Sequence, residues 1–392
     1  MPCDEFCPQR VDSRRRMSLA EGDASRRAEN VFRPVRLWRK TKLAGCARAE
    51  GGIADRGTQD TVREDPMPRP IAFISREVSP AVLARLCEAC DARGWEGPGR
   101  CPEEVLEKEI GDVAAVLGTD RWTAELMDKA PHLRIIALTA VGYDSVDVAA
   151  ATERGIVVTN TAGSLTDTVA DLTLALMLAV ARRVPELERW LRAGKWQTVG
   201  VTPMGRDIHH ATLGIVGMGR IGAAVADRAR GFQMQVIYHD AVRREDLEGR
   251  YGYRFVALDA LLAASDFVSL HSALTPETRG MIGASALAKM KPTAFLINTS
   301  RGPVVDEGAL IAALRTGRPA GAGLDVFERE PVDPENPLLN MENVVTLPHV
   351  GSATEATRQA MVDLAADNLL AVLQGRPPLT PVNPEVLEMR RK

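Results

Sequence analysis

Three ionisable side chains in the second half of the sequence are of the types that carry out acid–base chemistry. Arg301, Glu330 and His349 each follow a short apolar run of the kind that forms a buried strand. A fixed guanidinium can hold a carboxylate and polarise a carbonyl, and a histidine titrates near neutral pH and can deliver a proton. A carboxylate behind the histidine would fix the orientation of its ring. Taken singly, however, the three residues could be a surface ion pair, a loop acid and a capping residue.

A glycine-rich turn ahead of these residues predicts a dinucleotide site. The motif Gly217-Met-Gly-Arg-Ile-Gly222 follows an apolar run and precedes a helical pattern, and Asp240 ends the next apolar run. The first glycine allows a tight turn, the second lets a pyrophosphate approach the backbone, and the third lets the helix pack on the strand. The helix N-terminus suits a phosphate, and Asp240 would accept hydrogen bonds from a ribose. A glycine turn without a nucleotide is the alternative, but the acid at this spacing favours the dinucleotide.

The elements that must position these residues alternate between strand and helix patterns. This alternation predicts parallel sheets covered on both faces, in which the carboxyl ends of the strands face a ligand crevice. The glycine-rich turn lies in mid-chain. β/α units and one long helix over 166–193 precede it, and a long final helix is predicted over 354–374. We therefore predict an α/β fold of two doubly wound parallel-sheet domains, with the dinucleotide-binding domain inserted into the substrate-binding domain. The expected boundaries are 67–165, completed by 350–388, for the substrate domain and 166–349 for the NAD-binding Rossmann domain.

Residues 1–66 differ from the rest of the chain because they show no sustained apolar period. This composition predicts an N-terminal extension that is disordered or a wrongly assigned start, with Met67 as the natural first residue.

Composition bounds the function further. The chain has 392 residues, 45% hydrophobic and 26% charged, with a net charge of −3. These values predict a globular protein with neither nucleic acid nor a membrane as a partner. The lack of cysteine after Cys101 predicts a cytoplasmic location. Cys87-Glu-Ala-Cys90 has the spacing of a metal site, but its helical setting favours two small apolar residues, so no metal is expected.

Taken together, the motifs resemble those of the D-isomer-specific 2-hydroxyacid dehydrogenases over about 71–384. The matching segments are Gly217 to Gly222 with Asp240, Asn298-Thr-Ser-Arg-Gly302, Leu324-Asp-Val-Phe-Glu328 with Glu330-Pro331, and Pro348-His-Val-Gly-Ser-Ala353. The resemblance implies that Arg301 anchors the substrate, that His349 is the catalytic acid/base and that Glu330 is its partner.

The resemblance also implies binding residues that the pattern alone does not single out. Val141 and Gly142 would bind the substrate carboxylate through backbone N–H groups, with Leu117 beside them. Asp325 would contact the nicotinamide carboxamide. The full set implied to bind the cofactor is Thr168, Gly217, Gly219, Arg220, Ile221, Gly222, Asp240, Thr299 and Asp325. One departure is Ala273, where the family usually has proline, and it puts only the shape of that loop in doubt.

Single residues narrow the activity within this family. Asp240 favours NAD, because a carboxylate repels a 2′-phosphate, whereas Arg243 and Arg244 keep NADP possible. Leu117 stands where the phosphoglycerate branch usually has arginine, and Glu330 argues against the formate dehydrogenases. The expected reaction is therefore NAD(P)H-dependent reduction of glyoxylate, hydroxypyruvate or a 2-ketogluconate type of acid to the D-2-hydroxy acid.

Two other functions remain open at this stage. The family includes NAD-binding transcriptional co-repressors with a similar Arg, Glu and His, and it also includes phosphite dehydrogenases. The resemblance also implies a homodimer, for which the apolar and aromatic region 166–196 is the expected contact.

Overall fold

Two parallel sheets form the framework of the protein. The structure is a computed structural model that describes residues 68–389 except 96, 98 and 99, all within one compact unit, Val62–Lys392. The disorder expected for 1–66, and Met67 as the first residue, lie outside the described residues.

The first sheet has five strands in the order β2-β1-β3-β4-β5, all parallel. Its strands are β1 (Ile71–Ile74), β2 (Asp91–Gly94), β3 (Ala115–Gly118), β4 (Ile135–Leu138) and β5 (Val157–Thr159). The connecting helices are α1 (Pro80–Ala89), α2 (Glu103–Glu109), α3 (Ala124–Asp128) and α4 (Val148–Glu153). Alternate side chains face opposite cores: Phe73 packs with Leu106 and Trp122 on one face, and Ile74 packs with Leu86 on the other.

The second sheet has seven parallel strands in the order β12-β11-β10-β9-β6-β7-β8. They are β6 (Thr212–Val216), β7 (Gln235–His239), β8 (Arg254–Phe255), β9 (Phe267–Leu270), β10 (Phe295–Asn298), β11 (Gly321–Leu324) and β12 (Val344–Thr346). The helices are α5 (Thr166–Ala181), α6 (Val184–Arg192), α7 (Arg220–Arg230), α8 (Glu245–Tyr251), α9 (Leu258–Ala264), α10 (Ala284–Lys289) and α11 (Glu307–Arg315). The strand order reverses between β6 and β9, which is where an open α/β sheet forms its ligand crevice.

The last long helix, α12 (Glu355–Leu373), returns to the first sheet and is followed by α13 (Glu385–Met389). Val362, Ala365 and Leu369 of α12 are buried in the core that contains Ile74 and Leu86. The chain thus leaves the first sheet, builds the second and returns. The predicted fold of two doubly wound parallel-sheet domains is confirmed.

Some predicted elements differ from the structure. The sequence predicts one long helix over 166–193 that Pro185 could bend. In the structure α5 ends at Ala181 and α6 begins at Val184, with Arg183 at a left-handed φ of 55°. Pro185 explains the break, because it lacks the N–H that would bond to the preceding turn and its ring clashes there. The short edge strand β2 gives no sequence signal, since its residues are Asp-Ala-Arg-Gly.

Candidate active site

The loops that carry Arg301, Glu330 and His349 all leave the carboxyl ends of neighbouring strands. Arg301 follows β10, Glu330 follows β11 and His349 follows β12. Because these strands are adjacent and parallel, their loops lie along one edge of the second sheet. The fold therefore brings together the three residues that the sequence singled out.

His349 and Glu330 form a direct pair. His349 Nδ1 lies 2.6 Å from Glu330 Oε2, and Glu330 Oε1 accepts a hydrogen bond from the N–H of Phe327 at 3.1 Å. Half of the His349 side chain is exposed, and its Nε2 makes no hydrogen bond within the described part of the chain. With Glu330 ionised, Nδ1 carries the hydrogen of this bond, and Nε2 is the ring atom left to exchange a proton.

The electrostatic surroundings keep Glu330 ionised. Partial burial raises the pKa of its carboxyl, but this is outweighed by the hydrogen bond and charge of His349, the N–H of Phe327 and the charge of Arg301. The net effect is a pKa below the ordinary value. Glu330 thus remains a carboxylate over the pH range in which histidines titrate.

The loop that carries His349 is held by Asp325. The carboxylate of Asp325 accepts the N–H groups of Val350 and Gly351, both at 2.8 Å, and its carbonyl accepts the N–H of His349 at 2.8 Å. His349 has a φ of 52°, a left-handed conformation that costs a non-glycine residue about 1–2 kcal/mol. Asp325 is only 1% exposed, and this burial raises its pKa although the two N–H donors oppose the effect. Asp325 therefore fixes the backbone from which His349 projects.

Arg301 reaches across to the loop that follows β4 in the first sheet. Its Nε donates to Asp144 Oδ1 at 2.9 Å, and its Nη1 donates to the carbonyl of Ser300 at 2.8 Å. A Cβ added at Gly142 would lie 1.4 Å from Arg301 Nη2, so any larger residue at this position would have to displace the guanidinium. The N–H groups of Val141 and Gly142 make no hydrogen bond to the described residues. Arg301 Nη2 and these two N–H groups thus leave donors for a carboxylate in one place.

The structure places the other predicted substrate residue, Leu117, elsewhere. Leu117 is fully buried in the core between β3 and the helices α1 and α12. The strand directs its side chain into that core and not towards Arg301. We therefore leave Leu117 out of the proposed site. Asp144, in contrast, is not singled out by the sequence, although it lies only two positions after Gly142.

The glycine turn has the geometry that a dinucleotide requires. Gly217 has a φ of 95°, and a Cβ there would lie 2.6 Å from the backbone nitrogen of Ser272. A Cβ at Gly222 would lie 2.1 Å from the carbonyl oxygen of Gly217, whereas no described atom comes within 4 Å of the Cβ position at Gly219. The first and third glycines are thus required by packing, and the second presents open backbone.

Polar atoms around this turn also suit a dinucleotide. Asp240 Oδ2 accepts the N–H of Met218 at 2.6 Å, and Asp240 Oδ1 accepts that of Val242 at 3.0 Å, which leaves further acceptor positions on the carboxylate. His271 Nδ1 and Ser272 Oγ are buried without a partner among the described residues. Both residues follow β9, on the other side of the point where the strand order reverses. Buried polar atoms without partners are rare and are expected where a ligand binds.

Two further predicted cofactor residues, Arg220 and Ile221, begin the helix α7 that follows the glycine turn. Arg220 is exposed at the first position of α7. Ile221 packs with Val141 against Leu165, Val169 and Met361, which ties the glycine helix to the substrate loop.

The predicted cofactor residues Thr168, on α5, and Thr299, directly after β10, each lie in a threonine pair. Thr168 Oγ1 lies 2.6 Å from Thr357 Oγ1 of α12, and Thr299 Oγ1 lies 3.0 Å from Thr173 Oγ1 of α5. No metal-binding cluster of His, Cys, Asp or Glu occurs within the described ranges, and none of the helices described there could cross a bilayer.

Comparison with known proteins places the chain in a family. Residues 174–351 match the family described as D-isomer specific 2-hydroxyacid dehydrogenase, NAD binding domain. A glyoxylate reductase from Korarchaeum cryptofilum is 50% identical over 327 residues, covering 82% of this chain and 98% of that protein. A glyoxylate reductase from Thermococcus litoralis is 47% identical over 326 residues, covering 81% and 98%.

Solved structures agree with this placement. A protein from Thermus thermophilus has a TM-score of 0.74 and 45% identity, covering 80% of this chain and 99% of its own. The NADPH-dependent glyoxylate/hydroxypyruvate reductase of Sinorhizobium meliloti, solved with NADP and malonate, has a TM-score of 0.73 and 40% identity, covering 80% and 97%. The chain belongs to the D-isomer specific 2-hydroxyacid dehydrogenase family and is an NAD(P)-dependent oxidoreductase.

Proposed function

We propose that the chain reduces a small 2-oxo acid to the D-2-hydroxy acid, with glyoxylate and hydroxypyruvate as the preferred class of substrate and 2-ketogluconate as the larger alternative. The observation that carries the proposal is the His349–Glu330 pair, with Nε2 of His349 left without a partner among the described residues, on the sheet edge that also carries Arg301. The glyoxylate reductases named above support the substrate class.

The residues would divide the reaction between them. Arg301 and the N–H groups of Val141 and Gly142 would hold the substrate carboxylate, and Arg301 would polarise the carbonyl. A bound reduced nicotinamide supplies the hydride that adds to the carbonyl carbon. Protonated His349 would give the proton on Nε2 to the carbonyl oxygen. The hydrogen on Nδ1 would stay on the ring and remain hydrogen-bonded to Glu330. The reverse transfer would serve oxidation of the hydroxy acid.

We assign the two domains accordingly. Residues 67–165 and 350–388 form the substrate-binding domain, and 166–349 form the NAD-binding domain. Arg301 and Gly142 would then come from different domains, and the short distance between them supports a site to which both domains contribute.

The proposal is tested by a panel of 2-oxo acids with purified protein and either NADH or NADPH. We expect oxidation of a reduced cofactor with glyoxylate and hydroxypyruvate. Phosphite with NAD is included in the panel because phosphite oxidation is the alternative enzymatic activity. Cofactor binding without turnover of any compound would overturn the proposal and favour a binding protein of the co-repressor type.

Replacing Asp325 with asparagine should lower both kcat and the thermal unfolding midpoint. Asparagine offers one oxygen where the N–H groups of Val350 and Gly351 need two, and a buried donor without a partner costs about 1–3 kcal/mol. Calorimetry and turnover assays measure the two effects. Asp306→Asn is the matched control, because Asp306 caps an exposed helix end and asparagine caps equally well. An unchanged kcat in Asp325→Asn would show that this carboxylate does not position His349.

We also propose a homodimer. α6 has no buried residue, and the segment after it exposes Trp196, Val199, Val201 and Met204 by 51–85%. Soluble monomers rarely leave such an apolar patch uncovered, and a second copy covers it symmetrically. Light scattering should give twice the mass of one chain, and the double change Val199→Asp with Met204→Asp should give the mass of one. A monomeric wild-type protein would contradict the prediction.

A further inference from the structure

Asp240 and the arginines that follow it share one hydrogen-bonded surface at the end of β7. Asp240 accepts the N–H of Met218, while Arg244 Nη1 donates to the carbonyl of the same Met218 at 3.1 Å. The carboxylate and the guanidinium therefore flank one residue of the glycine turn, and the charge of Asp240 acts on Arg244. This is the place where a dinucleotide presents the 2′ position of its adenine ribose.

The side-by-side Nε and Nη2 donors of Arg244 already bind a carboxylate. Its Nε and Nη2 donate to the two oxygens of Asp246 at 2.8 and 2.7 Å. A two-pronged bond of this kind is also the geometry in which arginine binds phosphate. Asp246 therefore takes the positions on Arg244 that a 2′-phosphate would use.

Arg243 is held in the same way by Glu248. Its Nε and Nη2 donate to the two Glu248 oxygens at 2.8 and 2.7 Å. Glu248 Oε1 also accepts the hydroxyl of buried Tyr238 at 2.7 Å, and that hydroxyl accepts the N–H of Arg244 at 2.7 Å. Hydrogen bonds from Arg243 and then Tyr238 lower the pKa of Glu248 to about 2, so it stays charged at any working pH.

We propose that Asp246 and Glu248 are the residues that set the cofactor preference. They occupy the Nε and Nη2 donors of Arg244 and Arg243, for which a 2′-phosphate would have to compete. The pair of Arg244 with Asp246 lies at the protein surface, and such pairs are weak, so a phosphate can displace Asp246. Glu248 is only 18% exposed and is also bound to Tyr238, so it holds Arg243 more firmly. The chain would then favour NADH, through Asp240, and still accept NADPH through Arg244. The preference depends on two carboxylates that would not themselves touch the cofactor.

Binding measurements on the full chain test this inference without any 2-oxo acid, so they stand apart from the proposed reaction. The ligands are ADP-ribose and 2′-phospho-ADP-ribose, titrated by calorimetry. Asp246→Asn should tighten binding of the phosphorylated ligand by about two- to five-fold, the range that an exposed ion pair is worth, and leave ADP-ribose within about two-fold. Glu248→Gln should act in the same direction. Arg244→Gln should weaken only the phosphorylated ligand, by about ten-fold or more.

The matched control is Asp227→Asn. Asp227 pairs with Arg230 at the far end of α7, so its replacement makes the same change in net charge away from the turn. If Asp227→Asn tightened the phosphorylated ligand as much as Asp246→Asn, the effect would be one of overall charge and the inference would be wrong. It would be equally wrong if Arg244→Gln weakened both ligands alike. Unfolding midpoints close to wild type confirm that each variant is folded.

Discussion

Replacing His349 with alanine should lower kcat for 2-oxo acid reduction by about 10²–10⁴-fold, the usual contribution of a positioned general acid. The reason is that Nε2 of His349 is the donor left over once Nδ1 is bound to Glu330. Cofactor affinity should stay near that of the wild-type protein, because the glycine turn and Asp240 lie on a different part of the crevice. Stopped-flow measurement of NADH oxidation and a separate binding titration distinguish the two effects.

Glu330→Gln separates orientation of the ring from proton donation. Glutamine can still accept from Nδ1 through its oxygen, but it removes the negative charge that stabilises protonated His349. The expected loss is smaller than for His349→Ala, because Nδ1 keeps an acceptor while the ring loses the neighbouring charge. A kcat equal to that of the wild-type protein would show that the charge of Glu330 has no role.

Replacing Arg301 with methionine should produce the second large effect, a fall in kcat/KM of about 10²–10⁴-fold. Each hydrogen bond to a charged group is worth about 1.5–3 kcal/mol, and the substrate would lose two of them, one to its carboxylate and one to its carbonyl. Arg301→Lys keeps the charge but not the planar arrangement of donors, so it should recover only part of the loss. Steady-state kinetics at saturating NADH measure the fall.

A change at Gly142 tests the same contact through the loop that faces Arg301. Gly142→Ala adds a methyl group that would overlap Arg301 Nη2, and it should displace the guanidinium and raise KM for the 2-oxo acid. The matched control is Gly111→Ala. No described atom lies within 4 Å of the Cβ position at Gly111, and its φ is not positive, so this change should leave KM unchanged. Equal KM values in the two variants would contradict the placement of the substrate carboxylate beside Gly142.

The strand pattern is readable from the sequence because most strands are buried on both faces. The apolar run Phe267–Leu270 predicts a strand with the bounds observed for β9, since all four of its residues are buried. The short strands β2 and β8 escape prediction because they lie at sheet edges, and their residues Asp-Ala-Arg-Gly and Arg-Phe form no apolar run.

The candidate site can be predicted from the sequence where it depends on residue type and on a position just after a strand. His349, Glu330 and Arg301 can be grouped because each follows a strand of one parallel sheet. The contact between Arg301 and Asp144 cannot, because the two residues are 157 positions apart and meet only through the packing of the two sheets. The left-handed backbone of His349 is likewise hidden, because it depends on the buried carboxylate of Asp325. Leu117 is assigned from its place in the family pattern, and that pattern does not show that its side chain lies in the core between β3, α1 and α12.

The role of His349 is tested most simply by the rate of NADH oxidation with glyoxylate, compared between the wild-type protein and His349→Ala at equal, saturating cofactor. We predict turnover by the wild-type protein that falls by at least about a hundred-fold in the variant, with NADH binding retained. A wild-type protein that binds NADH without oxidising it, or a variant that keeps wild-type turnover, would contradict His349 as the proton donor.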